Sequence, residues 1–65
     1  MTSAGEDAAA MVARALSRRA PAERPRFLRE LVAHTAAGLV VIEGDRAAGE
    51  AVYRLADAVV ARGTR

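Results

Sequence analysis

The sequence contains no cysteine, tryptophan, lysine, asparagine or glutamine, and only one phenylalanine and one tyrosine. Without cysteine the chain can form no disulfide, no zinc–thiolate site and no cysteine nucleophile. No apolar run reaches the roughly 18 residues that a membrane span requires. Residues 1–13 are acidic, unlike the basic start of a signal peptide. We therefore expect a cytoplasmic protein that does not associate with membranes.

The apolar content is high, but half of it is alanine. Of 34 apolar residues 17 are Ala, and the chain has only 65 residues. A chain of this length forms one domain, here residues 1–65, and buries only about 60% of its unfolded surface. Alanine favours helices and lets them approach closely, but each side chain adds only a methyl group to a core. Association with another chain is the remaining route to a larger core.

The basic residues are concentrated in one segment. All ten are Arg, and residues 14–29 carry a net charge of +5, whereas the whole chain carries +2. Such a block could bind phosphates or an acidic partner. A composition rich in Ala, Val, Gly and Arg without Lys is also typical of a GC-rich genome, and this second interpretation is favoured. The possible anion-binding residues are Arg14, Arg18, Arg24, Arg26 and Arg29.

Hydrophobic periodicity and end signals predict an all-α domain of two or three helices. A first helix spans about residues 4–19, with Ser3 and Glu6 at the spacing of a capping box. Two prolines then interrupt the chain, and Pro25 is placed to begin the second helix, at about 25–43. Gly44 can adopt a left-handed cap and Asp45 can cap the third helix, at about 45–62. The last two helices should form an antiparallel hairpin, with the first packed across it or against a partner.

The apolar end of the second helix is the most distinctive segment. After Thr35 no charged residue occurs until Glu43, so this end is apolar on all sides and needs to be covered. An alternative is that residues 39–42 form a buried strand, which would have to pair with another chain. In either case we predict a partner interface made by Leu39, Val40, Val41, Ile42, Val52, Leu55 and Val59.

The polar residues do not indicate an active site. Glu30 and His34 are four residues apart and could each supply one metal ligand, but one His and one Glu make no site within a monomer. A surface pair is the favoured interpretation. No nucleophile accompanies His34, and the glycines form no phosphate-binding loop. We expect no catalytic residue, no metal, no cofactor and no small-molecule substrate.

Residues 33–56 resemble one hairpin of the tetratricopeptide type. Ala37, Gly44-Asp45, Gly49, Tyr53 and Ala56 occur at that family's spacings of small, turn and aromatic residues. The sequence departs from the family at Ala33 and Ala61, where the family has an aromatic residue and a proline. There is also no second repeat, and such repeats need about three copies for stability. The similarity implies a helical hairpin but does not assign a family.

We therefore expect a non-enzymatic helical module that interacts with itself, as a dimer or larger species, or with another protein. The alternative is a small nucleic-acid-binding or regulatory protein that uses the Arg block. A third possibility is an accessory subunit of a larger enzyme. The helix-turn-helix template of DNA-binding proteins fails here, because Glu50 falls where that template needs an apolar residue.

Overall fold

The computed structural model describes residues 3–63 and confirms the all-α class. Three helices follow one another: α1 (Ala4–Ser17), α2 (Arg24–Glu43) and α3 (Asp45–Gly63). A short 3₁₀ turn, Pro21–Glu23, joins α1 to α2. Residues 39–42 lie within α2, so the helical interpretation of this segment is correct and the strand alternative is wrong.

The start of α1 is fixed by the predicted capping box. The Ser3 hydroxyl accepts a hydrogen bond from the Glu6 amide at 3.1 Å, and the Ser3 amide donates to the Glu6 carboxylate at 3.4 Å. Glu6 and Asp7 lie in the first turn, where negative charge is favoured by the helix dipole. The helix ends at Ser17, two residues before the predicted end.

Arg24 closes the other end of α1. Its Nε donates to the Leu16 carbonyl at 3.1 Å and to the Arg19 carbonyl at 3.3 Å. These carbonyls belong to the last turn and the exit of the helix, where intrahelical donors run out. The Leu16 carbonyl also accepts a hydrogen bond from the Arg19 amide at 3.1 Å. Nearby, the Arg19 guanidinium lies 4.6 Å from the centroid of the Phe27 ring. The side chains of Arg19, Arg24 and Phe27 thus attach the end of α1 to the start of α2.

A single residue separates α2 from α3. Gly44 has φ 88° and ψ 164°, a combination that is essentially restricted to glycine. The predicted positive φ is confirmed, but this ψ lies well outside the left-handed helical region. The Gly44 amide donates to the Val40 carbonyl at 2.8 Å, and its carbonyl accepts from the Ala48 amide at 3.1 Å. Asp45 was expected to precede α3 as its cap, but it is the first residue of the helix.

The two long helices form a V. Their backbones approach closely mainly beside Gly44, and α1 packs along neither of them. Near the turn, Ala48 is only 1% exposed and is the sole fully buried residue of the described chain. Farther along α3, Leu55 and Val59 are each 68% exposed. Burial therefore falls along the arms of the V, and the space between them stays open.

Candidate protein-interaction surface

An apolar groove lies between the arms of the V. It has a volume of about 470 Å³, and four residues from each helix line it: Val32, Thr35, Ala36 and Leu39 of α2, and Val52, Leu55, Ala56 and Val59 of α3. We call this set the apolar groove. On each helix the lining residues are at spacings of three and four, which places them on a single face. Two matching helical faces therefore look toward each other across an open space.

The groove contains one polar side chain, and its hydrogen bonds are made within its own helix. The Thr35 hydroxyl lies 2.7 Å from the Leu31 carbonyl and 3.1 Å from the Val32 carbonyl. A buried hydroxyl is costly mainly when it lacks a partner. Because Thr35 already has one, an apolar surface can cover the groove without leaving an unsatisfied polar group.

The predicted interface residues divide into two groups. Leu39, Val52, Leu55 and Val59 line the apolar groove. Val40, Val41 and Ile42 lie outside its lining, and Val41 and Ile42 are 85% and 82% exposed. The all-round apolar character of this helix end therefore leaves exposed apolar surface on α2 outside the groove as well.

Sequence reasoning left Val32, Thr35, Ala36 and Ala56 out of the predicted interface. The signal was available for Thr35, Ala36 and Ala56, since each is three or four residues from a predicted interface residue on the same helix face. Val32 is seven residues, or two helical turns, from Leu39. The small size of Ala36 and Ala56 and the polar atom of Thr35 made these three less conspicuous than the bulky residues of the predicted interface.

The charged residues of α3 lie away from the groove. Arg46, Glu50, Arg54 and Asp57 are exposed, and none of them belongs to the groove lining. They alternate in sign at spacings of four, four and three, as on a solvated helix face. The third helix therefore has a polar outer side and an apolar side that is uncovered along much of its length.

The arginine block is dispersed over two helices and the segment between them. Arg14, Arg18, Arg26 and Arg29 are exposed, whereas Arg24 is half-buried and bonded to backbone carbonyls. A depression of about 610 Å³ beside the linker is lined by Arg19, Ala22, Glu23, Arg26, Phe27 and Glu30. The depression contains two carboxylates as well as two guanidinium groups, so its lining does not carry charge of a single sign.

Glu30 and His34 form an exposed pair on α2. The Nε2 of His34 lies 3.9 Å from the Glu30 carboxylate, and the side chains are 81% and 67% exposed. Within residues 3–63 no group of three or more His, Cys, Asp or Glu is placed to hold a metal ion. This geometry is that of a surface pair at helical spacing.

Comparison with known proteins identified no relative of this chain. No protein family, curated protein or solved structure matches the chain. In the part of the chain that the structure describes, none of the helices is both long and apolar enough to cross a membrane.

Proposed function

We propose that this protein is a self-associating helical module whose apolar groove is covered by a second copy of the chain. The observation that carries this proposal is the exposed area. A compact monomer of 6.8 kDa is expected to expose about 4,000 Å². The chain exposes 5,809 Å², which exceeds the compact value by about 1,800 Å².

This excess is large enough for a stable interface. A standard protein–protein interface buries about 800 Å² on each partner, and obligate dimers bury more. Much of the excess is apolar, because Tyr53, Leu55, Val59 and Val60 are each more than 60% exposed. Contiguous apolar surface of this kind is unusual on a soluble monomer and common at interfaces.

A second copy suits this surface for two reasons. In a two-fold dimer the same surface of each chain forms the interface, so each apolar residue in it is buried in both chains. Both walls of the apolar groove are apolar helix faces, the kind of surface that packs against another helix in a bundle. The polar ladder on the outer side of α3 would remain in water.

Sedimentation equilibrium over a range from nanomolar to micromolar tests this proposal. We expect a mass of at least two chains at micromolar concentration. Helicity and mass should fall together on dilution, since only one residue between positions 3 and 63 is fully buried in a single chain. A monomer that stays fully helical and thermally stable at all concentrations would refute it.

A second candidate function is binding of a nucleic acid by the exposed arginines. The observation in its favour is that Arg14, Arg18, Arg26 and Arg29 make no ion pair within residues 3–63. Free guanidinium groups are available for phosphates. They lie on different elements, however, and lack the interleaved aromatic residues that bind single strands. Self-association accounts for more of the exposed surface.

A further inference from the structure

We infer that α3 of the second copy fills the apolar groove, so that two chains exchange these helices and form a four-helix bundle. This inference rests on the proposed self-association and adds to it the identity of the occupant. The alternatives are the partner's α2, or contact through a surface other than the groove.

Away from the Gly44 turn, the third helix has more exposed apolar side chains than the second. Its groove face carries Leu55 and Val59, each 68% exposed, and beside that face Tyr53 and Val60 are 74% and 63% exposed. Together these side chains form a wide apolar arc on one helix, broader than the contact with a single neighbour can bury. In the corresponding part of α2, one apolar side chain, Val32, is exposed to a similar extent, at 61%. Its neighbours Leu28 and Leu31 are better covered, since Leu28 is 36% exposed and Leu31 is half-buried.

The charge pattern permits the insertion of α3. Its charged ladder of Arg46, Glu50, Arg54 and Asp57 lies on the side away from the groove lining. Inserting the helix by its apolar arc would therefore bury none of these charges. The groove that receives it presents no charged side chain, and its one hydroxyl is already bonded within α2. No desolvated charge opposes the insertion.

Symmetry then fixes where the two helices meet. If each α3 enters the other chain's groove about a two-fold axis, the two α3 helices cross near the middle of their groove faces. The middle of the set Val52, Leu55, Ala56 and Val59 is at Leu55 and Ala56. Ala56 is small, which allows two helix backbones to approach. Ala56 of one chain should therefore lie beside Ala56 of the other.

Cysteine cross-linking tests this arrangement, because the natural chain has no cysteine and a disulfide in a single-cysteine variant must join two chains. The variants are Ala56→Cys, Ala36→Cys at the middle of the α2 face, and Asp57→Cys on the outer side of α3. A disulfide forms only when the two Cα atoms lie about 4.4–6.8 Å apart. Under mild oxidation we expect Ala56→Cys to give at least about tenfold more covalent dimer than either other variant.

The outcomes separate this inference from the proposed function. Mass and circular dichroism of each reduced variant establish that it is folded and associated as the wild type is. A dimer that cross-links through Ala36→Cys would place the partner's α2 in the groove and overturn the inference. A dimer with equal, weak cross-linking at all three positions would overturn it too, while self-association would stand. A monomeric wild type would overturn both.

Discussion

Replacement of Leu55 by alanine distinguishes a surface residue from an interface residue. In the single chain Leu55 is 68% exposed, so only about a third of the leucine burial energy of about 1.5–3 kcal/mol is present. The substitution would then cost a monomer about 0.5–1 kcal/mol. Covering the groove with a second copy would bury the remaining two-thirds, worth about 1–2 kcal/mol per chain.

A dimer contains this residue twice, so Leu55→Ala should weaken dimerisation by about 2–4 kcal/mol, which raises the dissociation constant by about 30- to 1,000-fold. Sedimentation equilibrium at several concentrations measures the constant, and circular dichroism reports the helicity. Glu50→Ala, on the outer side of the same helix, is the matched control and should change stability by less than about 0.5 kcal/mol. Equal dissociation constants for the two variants would refute the assignment of the groove as the interface.

Three further perturbations test other parts of the structure. Gly44→Ala should destabilise the protein by about 1–3 kcal/mol, since alanine cannot easily adopt the φ of 88° and ψ of 164° at this position. Thermal unfolding measures this loss of stability. An unchanged unfolding midpoint would contradict the backbone conformation assigned to Gly44 between α2 and α3. Arg24→Met removes the Nε donor of two carbonyls and should cost about 1 kcal/mol, seen as faster amide exchange at the end of α1 than in α3; uniform exchange rates would show that this contact does not hold α1. A fourfold variant replaces the exposed arginines Arg14, Arg18, Arg26 and Arg29 with alanine, and its self-association should be unchanged. The nucleic-acid alternative would be favoured if the wild type bound duplex tightly, if that binding weakened steeply with salt, and if the variant lost it.

The helices could be predicted from the sequence because their ends carry local signals. Ser3 and Glu6 cap α1 through contacts three residues apart, and Gly44 interrupts the chain through its own backbone conformation. The helix ends differ from prediction by at most two residues, at the end of α1. These signals depend on neighbours within one turn, so they need no knowledge of the tertiary structure.

The relation between the helices could not be predicted in the same way. Ile42 was predicted to share an interface with Leu39, but only Leu39 lines the groove, and Ile42 is 82% exposed outside it. The angle at Gly44 decides which face of α2 meets α3. Arg24 was grouped with possible anion-binding residues, whereas its Nε is bonded to two carbonyls of the preceding segment. Both side chains lie next to a bend in the chain, and periodicity carries no information on the direction that a side chain takes there. Where the groove is concerned, spacing identified its bulky residues, but the opening between the arms is visible only in three dimensions.

The concentration of contacts beside Gly44 has a consequence for folding kinetics. Nearly all close approaches in the chain join residues near one another in sequence, and chains dominated by such local contacts fold in microseconds to milliseconds. Docking of two chains is slower and depends on concentration. Refolding should therefore occur in two phases, a fast gain of helix at a rate independent of protein concentration and a slower consolidation whose rate increases in proportion to it.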